Sequence, residues 1–212
     1  MLAHGFARNS NWILVDSASS DERKSVTFIL RGDAITRPMW PHPFELRYQV
    51  IVSETFHASL SVTNTGRSNM DFTAVLHSYS DVLGIAQASL EGLAGCRYLD
   101  KVEANKRKVQ SETLLRIAVE VDRTYLDAQG ACTINDDGRS RQIRVVKEGS
   151  CSTVVWNPWY ERARQLVDFP DEGYQYMLCA EIANAASDFI ELVPGASHTL
   201  AVSIEAISRH PP

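Results

Sequence analysis

The 212-residue sequence contains little cysteine and no long apolar run. Its four cysteines are scattered and none forms a C-x-x-C pair, which argues against a zinc ribbon or a thioredoxin-type motif. No stretch of about 18 apolar residues occurs, so no transmembrane helix is predicted. The first residues also lack the apolar core of a signal peptide. We therefore expect reduced thiols, a cytoplasmic location and no membrane partner.

Several sequence motifs that carry nucleotide or hydrolase chemistry are also absent. There is no phosphate-binding G-x-x-x-x-G-K-[ST] loop, no G-x-G-x-x-G and no G-x-S-x-G elbow. The six histidines show no close metal-ligand spacing, so we predict no metal and no cofactor. The net charge of −5 argues against a nucleic-acid partner, which needs a basic face. A phosphorylated small molecule is compatible with this charge, because a few local arginines suffice to bind it.

The dominant pattern in the sequence is an alternation of apolar and polar residues. It is clearest in four segments, 26–30, 56–62, 115–121 and 200–206. A period of two predicts half-buried strands, and polar or glycine-containing turns separate them. We therefore predict an all-β antiparallel sandwich that forms one domain over residues 1–212. The only expected helical segment is a short turn over residues 161–167, closed by Pro170.

Two ionisable residues lie within apolar strand patterns. His77 follows the run 72–76, and Glu181 closes the run 176–180. His77 is compatible with a structural histidine in a strand as well as with catalysis. A carboxylate such as Glu181 is costly to bury unpaired, so it needs either a structural partner or a chemical role.

Two further charged residues and one aromatic turn are weaker candidates. Asp122 and the arginine after it fit a strand-end turn as well as an active site, and Arg8 alone is an ordinary surface arginine. The aromatic turn 156–159, Trp-Asn-Pro-Trp, would either stack on a sugar or cap the core. From the residues alone, these alternatives stay open.

Taken together, five sequence blocks resemble the glucose-6-phosphate 1-epimerase (hexose-6-phosphate mutarotase) family of the galactose-mutarotase-like superfamily. In chain order they are H-G-F-A-R-N-S-N-W at 4–12, L-H-S-Y at 76–79, V-D-R-T-Y at 121–125, V-V-W-N-P-W at 154–159 and M-L-C-A-E at 177–181. The resemblance implies an antiparallel supersandwich whose active site lies on a concave face. The family's region before the first block is missing, so we expect an N-terminally truncated domain.

The resemblance also implies roles for five residues. His77 matches the general acid and Glu181 the general base, while Asp122, Arg8 and His4 match residues that bind the substrate. The expected activity is interconversion of the α and β anomers of glucose 6-phosphate or a related aldohexose phosphate, with the hexose between His77 and Glu181. The expected partner is thus a small sugar phosphate, and we favour a monomer. Alternatives are a non-catalytic carbohydrate-binding or remnant sandwich, and an interaction module that pairs through a sheet edge.

Overall fold

The computed structural model describes residues 4–209, which form an almost entirely antiparallel β-structure. Its strands in chain order are β1 (Ile13–Ser19), β2 (Lys24–Arg31), β3 (Phe44–Val52), β4 (Phe56–Asn64), β5 (Met70–Phe72), β6 (Ala74–Leu76), β7 (Tyr79–Asp81), β8 (Ala88–Glu91), β9 (Arg97–Asp100), β10 (Lys106–Val109), β11 (Leu115–Arg116), β12 (Val121–Leu126), β13 (Cys132–Asp136), β14 (Arg141–Glu148), β15 (Ser152–Asn157), β16 (Met177–Asn184), β17 (Ile190–Leu192) and β18 (Ser197–Ser208).

These strands form two large sheets and one small one. The nine-stranded sheet has the order β1-β2-β3-β4-β18-β14-β13-β8-β11. The seven-stranded sheet has the order β10-β9-β12-β15-β16-β6, and β7 also pairs with β16. Strands β17 and β5 form a two-stranded ribbon. The predicted all-β antiparallel sandwich is thereby confirmed.

The apolar members of the alternating patterns meet between the two large sheets. Because successive side chains in a strand point to opposite faces, each strand contributes every second residue to this core. The seven-stranded sheet contributes Val155, Leu178 and Ile182, and the nine-stranded sheet contributes Ile134 and Leu200, all of them buried. The opposite face of the seven-stranded sheet is consequently free to carry polar side chains.

The single long strand predicted over residues 115–121 is wrong. Strand β11 ends at Arg116 in the nine-stranded sheet, and β12 begins at Val121 in the seven-stranded sheet. Leu115, Ile117 and Val121 are all buried, whereas Val119 is 61% exposed. Three of these four apolar side chains therefore stay in the core while the chain crosses between the sheets, and that of Val119 does not.

Helical structure is scarce in the described residues. The α-helix α1 spans Trp159–Ala163, so the helical turn predicted at 161–167 begins earlier and is shorter than expected. Short 3₁₀ helices lie at Ala7–Asn9, Ile85–Gln87, Asp137–Arg139, Gly173–Tyr176 and Ala186–Asp188. None of the helices within residues 4–209 is long and apolar enough to cross a bilayer. All four cysteines carry free thiols.

Candidate acid–base site

His77 and Glu181 lie opposite each other on neighbouring strands. Strands β6 and β7 both pair with β16, and the register is continuous across the two-residue gap between them. His77 lies in that gap and therefore faces Glu181, with 3.4 Å between its Nε2 and Oε1 of the carboxyl group. Ser78 holds the gap against β16 by donating a hydrogen bond from its Oγ to the carbonyl oxygen of Ala180, at 3.1 Å.

The same face of the sheet carries two other predicted site residues. Asp122 on β12 pairs with Trp156 on β15, which in turn pairs with Cys179 on β16. Directly opposed residues in antiparallel strands share a face, so these three side chains lie on the face that carries Glu181. The structure thus brings His77, Glu181 and Asp122, which are distant in sequence, onto one face.

Aromatic rings surround the imidazole of His77. The ring of Tyr79 is stacked on it, with centroids 4.7 Å apart and an interplanar angle of 12°. Trp156 approaches edge-on at 6.0 Å, and His4 does so at 5.7 Å. The side chain of His77 keeps 27% of its surface exposed, whereas that of Glu181 keeps 5%. The imidazole is therefore reachable from solvent, and the carboxyl group lies beneath it.

Burial shifts the two ionisable groups in opposite directions. It lowers the pKa of His77 to about 4, and the positive charges of His4 and Arg8 lower it further, against the negative charge of Asp122. Burial raises the pKa of Glu181 to about 8, an effect that Lys101 opposes and Asp122 reinforces. Both shifts favour the neutral forms, which are the unprotonated imidazole and the protonated carboxyl group.

The observed geometry changes two details of the expected site. The sequence predicted a hexose between His77 and Glu181, but the two side chains are in contact because they are cross-strand neighbours. Side-by-side groups nevertheless suit ring opening, because the two reacting oxygens are bonded to the same carbon. Burial also disfavours both charged forms, which favours a protonated carboxyl group beside a neutral imidazole.

Lys101 lies against Asp122 at the candidate site, although no sequence motif predicted it there. It directly follows β9, and its backbone N–H donates to the carbonyl oxygen of Asp122 at 2.9 Å. Its Nζ lies 3.0 Å from Asp122 Oδ1, although this buried oxygen has no partner with hydrogen-bond geometry in the described residues. Only the pairing of β9 with β12 connects the two residues, and no spacing in the sequence reveals it.

The first sequence block is held beside the site by its aromatic residues. Phe6 packs against Phe44 of β3, with ring centroids 5.7 Å apart, and Trp12 Nε1 donates to the carbonyl oxygen of Ala7 at 2.9 Å. These contacts place His4 against His77. Arg8 is exposed and near enough for its charge to lower the pKa of His77, and it has no ion-pair partner within residues 4–209.

The aromatic segment at the end of β15 contributes one tryptophan to the site face and one to the core. Trp156 lies on the site face, edge-on to His77 and Tyr79. Trp159 packs against the core cluster. Asn157 is fully buried between them, where its side chain donates to the carbonyl oxygens of Tyr174 and Met177, each at 2.9 Å.

One group of side chains at the site has metal-ligating atoms. His77, Cys179 and Glu181 each offer an atom within 4.8 Å of the others. Burial raises the pKa of Cys179, and the charge of Glu181 adds to this effect, so the thiolate that a metal requires is disfavoured. We assign no metal to these residues, and the absence of a metal stays a prediction.

A cavity of about 410 Å³ lies elsewhere, on the outer face of the nine-stranded sheet. Polar residues of β3, β4 and β18 line it, among them Gln49, His57 and Ser203. His57 Nδ1 and Ser203 Oγ are hydrogen-bonded to each other at 2.7 Å. None of the predicted site residues borders this cavity.

Comparison with known proteins identifies the family. A sequence profile described as aldose 1-epimerase matches residues 1–205. Two proteins named "Putative glucose-6-phosphate 1-epimerase" are 33% identical (Cenchrus ciliaris, 96% of this chain and 64% of that protein) and 34% identical (Escherichia coli K12, 87% and 61%). The chain thus spans less than two thirds of the length of these relatives.

A solved structure agrees with this assignment. The crystal structure of a "putative mutarotase" from Salmonella typhimurium superposes with a TM-score of 0.90 at 31% identity, covering 99% of this chain and 69% of that one. The fold is thereby shared with that protein. The chain belongs to the aldose 1-epimerase family.

Proposed function

We propose that the chain catalyses the interconversion of the α and β anomers of an aldohexose 6-phosphate, glucose 6-phosphate being the first candidate. The observation that carries this proposal is the 3.4 Å contact between His77 and Glu181 on a partly open sheet face. The opposite pKa shifts of the two groups support it, because they favour one proton shared by the pair. The family and the names of the relatives support the reaction class and the phosphorylated substrate.

Anomer exchange requires two proton transfers at oxygens bonded to C1. In ring opening, a base takes the proton of the C1 hydroxyl, the bond between C1 and the ring oxygen breaks, and an acid protonates the ring oxygen. The open aldehyde then rotates about C1–C2, and closure reverses both transfers on the other face of C1. The proton count of enzyme and sugar is unchanged in each step, so no metal and no redox cofactor is needed.

A pair with one proton satisfies this balance. With no proton the pair lacks an acid, and with two protons it lacks a base. His77 acts as acid and Glu181 as base in one half-reaction, and the roles exchange in the other. Each such group typically contributes about 10²–10⁴-fold to the rate.

The remaining site residues suit a phosphorylated sugar. The guanidinium of Arg8 supplies positive charge for the phosphate group. His4, from the same sequence block, lies against His77. The Asp122 side chain is 29% exposed on the same face, so its carboxylate can accept a hydrogen bond from a sugar hydroxyl. We further propose a cytoplasmic, monomeric protein without a membrane partner. Its net charge of −5 also argues against a nucleic-acid partner.

The approach of α-glucose 6-phosphate to anomeric equilibrium, followed by NMR, tests the proposal. We expect the wild-type chain to accelerate it, and His77→Ala or Glu181→Ala to return it to the buffer rate. Glu191→Ala, on the exposed side of β17, is the matched control and should be as active as wild type. A wild-type rate equal to that of buffer would refute the catalytic proposal, and saturable sugar binding without acceleration would favour a non-catalytic carbohydrate-binding sandwich.

A further inference from the structure

We propose that Lys101 is a positioning residue for the acid–base pair. Lys101 holds Asp122 in place and offsets the negative charge of Asp122 on the sheet face that carries Glu181. This inference rests on the proposed function and deepens it. It assigns a task to a residue that lies outside the five sequence blocks.

The geometry ties Lys101 to Asp122 at two points. Its backbone N–H donates to the carbonyl oxygen of Asp122 at 2.9 Å, which extends the ladder between β9 and β12 by one residue. Its Nζ then lies 3.0 Å from Oδ1 of the same residue. Within the described residues this ammonium group is the only charge in contact with the buried oxygen, so it fixes the carboxylate without occupying it with a well-formed hydrogen bond.

The charges of the two residues act on the catalytic pair in opposite directions. Asp122 raises the pKa of both His77 and Glu181, and Lys101 lowers both. The negative charge of Asp122 would by itself increase the proton affinity of the pair. Lys101 compensates for that effect while it leaves the carboxylate available.

The other lysines of the same hairpin cannot replace Lys101. Lys108 is paired with Asp100 at 2.9 Å and also with Glu103. Lys106 lies 3.5 Å from Glu103 and has a 67% exposed side chain. Lys106 is therefore a matched control, since it has the same charge in the same hairpin and no contact with Asp122.

The pair also responds to other groups, which must be kept constant in any test. The charged groups that act on His77 are those of His4, Arg8, Asp122 and Lys101. Those that act on Glu181 are Lys101 and Asp122. Cys179 Sγ lies 4.0 Å from His77 Nδ1, and the ring of Tyr79 stacks on His77. The charge of Asp168 in turn raises the pKa of Tyr79.

The test compares the pH dependence of kcat/KM for anomer exchange in the wild type, Lys101→Met, Lys101→Arg and Lys106→Met. Loss of a positive charge raises neighbouring pKa values. In Lys101→Met, the acidic and basic limbs of the plot of kcat/KM against pH should therefore both move upward by about 0.5–1 pH unit. Lys101→Arg should restore the limbs, and Lys106→Met should leave them in place. Lys101→Gln repeats the measurement with a polar neutral side chain in case the methionine variant does not fold.

A measurement without substrate separates this inference from the proposed function. The carboxyl carbon of Glu181 can be titrated by ¹³C NMR in the free protein, and its midpoint should rise in Lys101→Met but not in Lys106→Met. An inactive wild type with this NMR shift would refute the function and support the electrostatic coupling. Unchanged limbs and midpoint in Lys101→Met would overturn the role of Lys101, whatever the activity.

Discussion

Replacing Glu181 with glutamine should abolish activity and yet stabilise the fold near neutral pH. The carboxyl group has only 5% of its surface exposed, and burial raises its pKa from the usual 4.5 to about 8. A group whose pKa is higher in the folded protein binds its proton more tightly there. The proton bound to Glu181 therefore contributes its full stabilisation below pH 4.5, and this contribution is lost as the pH rises to about 8.

The size of this effect follows from the pKa difference. At pH 7 the unfolded chain is about 2.5 pH units above the pKa of its free carboxyl group, which corresponds to about 3 kcal/mol at 1.36 kcal/mol per unit. At pH 5 the corresponding cost is under about 1 kcal/mol. Glutamine has a similar shape and has no charge to lose. For a chain of this size, about 3 kcal/mol corresponds to a rise in Tm of about 6–12 °C.

Thermal unfolding of wild type and Glu181→Gln at pH 5 and pH 7, with anomer exchange measured on the same samples, checks this prediction. The variant should be inactive at both values, and its advantage in Tm should be small at pH 5 and large at pH 7. Glu191→Gln on the exposed side of β17 is the control and should show no such trend. A variant as stable as wild type at pH 7, or an advantage independent of pH, would contradict the buried, protonated state of Glu181.

Three further substitutions test other parts of the structure. Arg8→Met should raise KM for glucose 6-phosphate about 10-fold or more and hardly affect anomer exchange of glucose, since a charge-assisted hydrogen bond contributes about 1.5–3 kcal/mol; equal effects on both sugars would exclude a phosphate contact. Asp122→Asn should move both limbs of the pH profile downward, opposite to Lys101→Met, and an upward shift would contradict the proposed charges. Gly149→Ala should cost about 3 kcal/mol or more in urea unfolding, because φ is +70° and the new Cβ would lie 2.0 Å from the carbonyl oxygen of Thr199. Gly195→Ala, with φ +79° and open space, should cost only about 1 kcal/mol, and similar costs at both glycines would refute the steric explanation.

The sequence was most informative where one physical rule determined the outcome. Alternation predicted β2, β4 and β18, because each is long and has one face in the core. The same rule failed over residues 115–121, where the buried side chains belong to two different sheets. A period of two identifies which residues point inward, but it does not show whether the chain changes sheets between them.

The site was predictable as a set of residues but not as an arrangement. The sequence blocks identified His77, Glu181 and Asp122, and the structure places all three on one sheet face. Their contact distances, the burial that shifts their pKa values and the position of Lys101 beside Asp122 depend on strand order and register. Strand order joins residues far apart in sequence, so no local pattern contains it.

Strand β16 shows why the fold tolerates a buried carboxyl group at the site. All eight of its residues are buried, and they alternate between the core, with Leu178 and Ile182, and the site, with Cys179 and Glu181. A slip of one residue would place the carboxyl group in the core and an isoleucine at the site, so both faces enforce the same register. The apolar side chains that hold the strand central also keep water from Glu181, which raises its pKa. The cost of burying the carboxyl group is therefore coupled to its chemical use, because the same burial leaves a single proton on the pair at neutral pH.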